Sequence, residues 1–295
     1  MANYWFLRLH RWLALSFSLP IAIVLLTGFV LSFEPLFIGR SNQAVTAQSL
    51  VAALKKHDPE NRARSLAVNS FAGTASIGTS PRNATVVDLT TNEKLASAPA
   101  TARFFATARR IHEALLLDLG WLVTAATIAL VLVIALGTLM GLPMLRNNLS
   151  GWHKATAWFT LPLLILSPMT GLMLAFGITF APPAFQSEAR ALSLTEVVEI
   201  VTRRFPANQI VWIRNMGGRQ MARIDDGGEL RVFRVAENDL IPTARNWPRL
   251  LHEGTWSKIP AFVLNMIQSF GLALLLVTGI WIWLRRSKKR RRRTS

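Results

Sequence analysis

The chain of 295 residues contains no cysteine. That absence excludes disulfides, iron–sulfur clusters and thiolate-bound metals, and leaves histidine as the obvious strong metal ligand. Acidic residues are scarce, 16 against 33 lysines and arginines. Within the apolar stretches they are almost missing, Asp118 at an edge being the exception, so a carboxylate-lined path for a divalent cation has little to be built from. No nicotinamide-binding motif is present. Any reductant must therefore be held outside this sequence.

What is abundant is apolar surface. Hydrophobic residues make up 51% and the mean hydropathy is +0.33, too apolar for an ordinary soluble domain and too charged for a pure membrane bundle. Four runs reach the roughly 20 residues that cross a bilayer: Trp12 to Phe33, Leu115 to Leu142, Ala155 to Phe180 and Ile259 to Leu284. The net charge of +17 gathers beside them, at Arg8 and Arg11, at Arg146 and Lys154, and in the tail from Arg285 to Arg293. That is the positive-inside pattern. It predicts a multi-pass membrane protein with both termini and the 143–154 loop cytoplasmic, and the segments 34–114 and 181–258 outside. The basic tail reads as an anchor on anionic lipid rather than a nucleic-acid site. The first run lacks a small-residue cleavage site and reads as a retained anchor.

The chain repeats itself, roughly 1–147 against 150–295. His10 and His153 are each followed, 17 residues later, by a Thr-Gly pair, Thr27-Gly28 and Thr170-Gly171. Ile111-His112-Glu113 and Leu251-His252-Glu253 then precede the second and fourth runs, which carry late glycines, Gly137 or Gly141 and Gly279. An outward helix followed by an inward one returns the chain to its starting side, so the repeats are parallel. The expected fold is an α-helical membrane protein, a bundle of four transmembrane helices with two small α+β lobes outside. Its divisions are 1–38 (first span), 39–99 (first lobe), 100–147 (outer helix and second span), 148–181 (third span), 182–245 (second lobe), 246–285 (fourth span) and 286–295 (basic tail). In the lobes, Thr46 and Thr195 are expected as N-caps of helices over 47–56 and 196–204. Strands are expected at 84–89, 210–214, 220–224 and 230–235, with a hairpin turn at Asp226-Gly227-Gly228.

Four of the five histidines thus stand at equivalent helix ends. They form two pairs, His10 with His153 on the cytoplasmic side and His112 with His252 on the other, each able to ligate one haem. Moving an electron across about 30 Å of hydrocarbon requires intermediate redox centres, and bis-histidine ligation leaves iron no open position, which suits electron transfer. Neutral imidazole is the ligand, its second nitrogen tied to a carbonyl or carboxylate. A macrocycle also needs flat space beside the opposing helix. Gly28 and Gly171, 18 residues beyond His10 and His153 or about 27 Å along a helix, reach the level of the outer pair; Gly137, Gly141 and Gly279 reach that of the inner. Ordinary helix packing would also use such glycines, and single histidines often sit idle among headgroups. Arg8, Arg11 and Lys154 inside, and Arg109, Arg110 and Arg249 outside, could meet haem propionates, the outer three also an anionic substrate. Tryptophans 5, 12, 121, 152, 256, 281 and 283 fit interfacial belts. Asn265 and Gln268 are polar groups inside the last span. His57 closes a soluble helix and reads as structural.

In Leu9-His10-Arg11-Trp12 with Leu26-Thr27-Gly28, in Trp152-His153-Lys154 with Thr170-Gly171, in Ile111-His112-Glu113, and in Leu251-His252-Glu253-Gly254 with Thr278-Gly279-Ile280-Trp281, the chain resembles the PepSY-associated transmembrane family over nearly its whole length. The resemblance implies an inner-membrane protein of the kind that includes dihaem ferric-siderophore reductases, with two haem b groups and a periplasmic ferric chelate as acceptor. The fused flavin and nicotinamide reductase domain of some larger relatives has no counterpart here, so the donor would be quinol or a separate cytoplasmic reductase. Two other readings compete. In one the lobes bind or restrain a periplasmic partner such as a protease and the helices only anchor them. In the other the histidines carry a divalent metal through a transporter.

Overall fold

The computed structural model describes residues 2–38, 43–80, 83–141, 146–181 and 192–294. The expected end of the second run at Leu142 and the start of the 143–154 loop lie outside the described residues, as do the side chains of Lys289, Arg290, Arg291 and Arg293.

The protein is mostly helical. Helices α1 (Ala2–Ser16) and α2 (Ser18–Leu31) meet at a break at Phe17, and α3 (Ala47–His57) follows. Strands β1 (Ser65–Asn69), β2 (Thr74–Gly78), β3 (Ala84–Asp88) and β4 (Glu93–Leu95) lead into α4 (Ala100–Ala114) and α5 (Gly120–Leu139). The second part runs α6 (Leu149–Phe159), α7 (Leu161–Ala175), α8 (Leu194–Thr202), β5 (Ile210–Met216), β6 (Arg219–Asp226), β7 (Glu229–Val235), β8 (Leu240–Pro242), α9 (Trp247–Glu253) and α10 (Lys258–Thr294). Among the described residues three helical stretches are long and apolar enough to cross a membrane: Ser18–Leu36, Gly120–Leu139 and Lys258–Lys288. Helices α6 and α7, bent by 65° at Thr160, supply a fourth if taken as one span. Large apolar side chains such as Leu132, Leu139, Phe270 and Val277 point outward, which lipid tolerates and water would penalise by about 25 cal/mol per Å². Small residues are among the buried positions on α5 and α10, Ala126, Ala129 and Ala261, and let the helix backbones approach closely.

The strands do not form two separate lobes as expected. They join in one antiparallel eight-stranded sheet, ordered β4-β3-β2-β1-β5-β6-β7-β8. The seam pairs Ser65 with Arg214, Leu66 with Ile213 and Ala67 with Trp212. Two lobes apart would each leave a bare strand edge, β1 in one and β5 in the other; pairing satisfies both. Leu66 and Ile213 are wholly buried in a core shared with Leu50 and Leu54 of α3 and Val197, Val198 and Val201 of α8. By strand alternation Trp212 and Arg214 face the other way, toward the helical bundle.

Helix α3 starts as expected, Thr46 and Ser49 forming a reciprocal cap. For α8 the expected cap is corrected. Ser193 rather than Thr195 caps it, because Glu196 stands three residues on and returns the bond to the Ser193 N–H. The Gly227-Gly228 turn joins β6 and β7 with both glycines at positive φ. Strands β1, β2, β4 and β8 lie outside the expected set; in β2 the small residues of Thr74–Gly78 carry little strand signal.

Candidate functional site

His112 and His252 sit in the last turns of α4 and α9, helices that precede the spans rather than belong to them. Each helix is stopped by a left-handed residue, Leu115 at φ 51° and Gly254 at φ 65°, so the chain turns sharply into the following segment. Helix α4 packs along α2 and α9 along α7. The same local device then receives each imidazole. His112 Nδ1 lies 3.1 Å from the Val24 carbonyl and 3.1 Å from Thr27 Oγ1. A Cβ built on Gly28 would meet His112 Cε1 at 3.1 Å. His252 Nδ1 lies 3.1 Å from the Ser167 carbonyl and 3.3 Å from Thr170 Oγ1, with Gly171 equally close at 3.0 Å. A carbonyl, a threonine three residues on and a glycine four residues on make one cradle, used twice.

At the far end of the bundle the pattern recurs in part. His10 Nδ1 bonds the Val133 carbonyl at 2.9 Å, and the Gly137 position is 3.7 Å from its ring. His153 Nδ1 bonds Thr278 Oγ1 at 2.8 Å beside Gly279, at 3.4 Å. The glycines expected to leave room for a macrocycle thus make room for the imidazoles themselves. Gly141 does neither: it ends α5 at φ +88° with nothing within 4 Å of an added Cβ.

These bonds fix the protonation of the rings. A backbone carbonyl only accepts, so Nδ1 of His10, His112 and His252 carries the proton. Thr278 Oγ1 already donates to the Leu274 carbonyl, so it too accepts, from His153. In all four rings Nε2 is left with its lone pair, and no described residue bonds it. Burial, and then the neighbouring His252, push His112 down to about 4; burial lowers His252 as well. Both imidazoles are neutral at ordinary pH, the form that binds metal.

The rings of His112 and His252 stand 6.0 Å apart, tilted by 49°. Two imidazoles sharing one metal through Nε2, each at about 2 Å, hold their ring centres about 6 Å apart. The pair therefore has a spacing at which both rings would hold one metal. His10 and His153 are near enough to interact electrostatically. Among the described residues no three His, Asp or Glu side chains converge on a bare ion, so the arrangement suits a centre that brings its remaining ligands with it.

The His112 and His252 pair opens into a cavity of about 1230 Å³ between the bundle and the sheet. Asn265 and Gln268 line it from α10, and Gln268 is 6% exposed. Arg109 lines it too and pairs with Glu34. Arg249 bonds Glu253 at 3.2 Å, and Glu253 meets Arg223 at 2.7 Å. Burial opposes ionisation of Glu253, but Arg223 and Arg249 outweigh it and hold the carboxyl below its ordinary value. Arg11 is half-buried one residue from His10, while Arg8, Arg110 and Lys154 are exposed; none of the four is brought to the cavity. Sequence reasoning missed Arg214 and Arg223, and missed the role of the threonines. The alternation of Ile210-Val211-Trp212-Ile213-Arg214 and the repeated Thr-Gly pairs were the available signals.

No curated protein matches the chain significantly. The PepSY-associated TM region family matches residues 7–286, a stretch that takes in all four cradled histidines, both halves of the sheet and every apolar span. The chain belongs to the PepSY-associated TM family.

Proposed function

We propose that this protein is a four-span, internally duplicated membrane electron conduit of the inner membrane. It holds two b-type haems, one through His112 and His252 near the sheet and one through His10 and His153 at the cytoplasmic end. Bound haem supplies one-electron transfer between ferric and ferrous iron without an open coordination site. The chain's own residues do the rest. Val24, Val133, Ser167 and Thr278 orient the imidazoles and keep Nε2 available; Thr27 and Thr170 add a second contact to their rings. Burial of His112 and His252 keeps them neutral. The sheet roofs the cavity and faces a periplasmic ferric chelate, probed most simply as a ferric siderophore; reduction to Fe(II) weakens a hard-oxygen chelate. Electrons come from quinol or a cytoplasmic reductase. Both termini are cytoplasmic, in line with the basic flanks.

The observation that carries this reading is the 6.0 Å pairing of two Nδ1-anchored imidazoles with free Nε2 atoms at a large cavity. A reduced-minus-oxidised absorption spectrum of the purified protein, with haem quantified per chain, tests it. Two b-type haems per chain are expected. A colourless protein would overturn the conduit and favour a membrane-anchored binding module.

A further inference from the structure

Six arginines and four glutamates line the cavity beneath the sheet, two positive charges in excess. Five of the arginines are answered. Arg109 pairs with Glu34, Arg223 and Arg249 with Glu253, Arg245 with Glu229, and Arg231 with Asp226 and Glu229. Arg214 is not. Its guanidinium lies over the Trp212 ring at 4.7 Å, and its Nε is buried with no acceptor. Nor does any carboxylate among the described residues reach it. Leaving that nitrogen this way costs the fold stability, because its lost hydration is not replaced. Stacking on Trp212 holds the planar group in a fixed orientation, which reduces the entropy lost when a ligand arrives.

We infer that Arg214 is the receptor for a carboxylate-bearing anion that enters the cavity from the sheet side. A guanidinium presents paired N–H donors that match the two oxygens of a carboxylate. Trp212 adds an apolar face against which the body of the ligand can lie. Arg223 and Arg249, whose positive charges also act on Arg214, raise the local potential for an anion while their own hydrogen bonds stay engaged by Glu253. The inference deepens the conduit reading by naming its acceptor class. Under it the chain prefers negatively charged carboxylate chelates of Fe(III) over uncharged hydroxamate chelates.

The anion site is tested without electron transfer. Gallium(III) citrate, redox-silent, is titrated into the full chain in detergent by calorimetry, beside an uncharged gallium(III) hydroxamate. Arg214→Gln should weaken citrate binding at least tenfold and leave hydroxamate binding within twofold; Arg214→Lys, which keeps the charge but loses the fork, should fall between. Added salt should weaken the wild type more than it weakens Arg214→Gln. Equal affinity of wild type and Arg214→Gln, or no citrate binding by the wild type, overturns the inference. The same carboxylate chemistry resides in haem propionates. If Arg214 serves those, Arg214→Gln will lower the haem retained or shift its potential while the wild type ignores citrate, which also overturns it. Should the protein carry no haem, the conduit reading fails, yet the gallium titration still decides the anion site.

Discussion

A histidine becomes a ligand only when something decides which nitrogen is free. Here that decision is made by backbone carbonyls and threonine hydroxyls one helix away, and it is not made equally everywhere. His112 has two Nδ1 partners, the Val24 carbonyl and Thr27 Oγ1, whereas His153 has Thr278 Oγ1. Removing an outer contact of a ligating imidazole typically lowers metal affinity by about 10- to 100-fold. Under the conduit reading, Thr278→Val should therefore release haem from the His10 and His153 site at the upper end of that range. Thr27→Val, with the Val24 carbonyl still in place, should cost the other site about threefold or less. Competition for haem by apomyoglobin measures both. Equal losses from the two variants would contradict the assignment of roles.

The histidines paired under the conduit reading come from separate elements rather than from neighbours in sequence. Helices α4 and α9 deliver one pair and α1 and α6 the other, each element carrying a single imidazole. Under the conduit reading, His112→Ala or His252→Ala should remove the haem near the sheet and leave the other reducible, so haem per chain falls from two to one in a folded protein. Loss of both from either change would break the pairing. The spans, the four histidines and the Thr-Gly pairs were legible because each rests on local pattern: an apolar run, a helix end, a fixed spacing. The merged sheet was not, because β1 and β5 are separated by more than 140 residues and their pairing is decided by which edges lie bare after each part folds. The cap of α8 was displaced by two residues for a similar reason. Serine and threonine both read as caps, and the choice rests on the reach of Glu196. Arg214 stayed hidden because a single arginine in a strand has no meaning until its face is known.

Over the whole molecule, burial of neutral imidazoles ties stability to pH. In the unfolded chain His112 and His252 take up protons below their ordinary 6.5, while in the fold burial keeps them deprotonated, His112 down to about 4. Stability should be flat above 6.5 and decline as pH falls below it, by up to about 1.4 kcal/mol per pH unit for each ring that stays unprotonated in the fold, with His112 adding no further loss below about 4. Glu253, held below its ordinary 4.5, adds a separate decline once pH drops beneath 4.5. Thermal melts of haem-depleted protein between pH 7.5 and 4.5 measure the first slope, expected at roughly 2 to 3 kcal/mol per unit with both rings contributing, and the His112→Gln, His252→Gln double variant should reduce it. A melt indifferent to pH across that window would show that the rings are hydrated.

Each of the four paired imidazoles is seated by a helix from its own side of the 142–145 connection: His10 on α5, His112 on α2, His153 on α10, His252 on α7. Yet each couple draws one ring from either side. A polypeptide cut at that connection would leave two fragments, each with both of its seats intact and neither with a complete couple. Reassembly would rest on the β1–β5 seam and on the packing of α2 with α10 and α5 with α7, so colour would return on mixing in proportion to association and serve as a direct gauge of it.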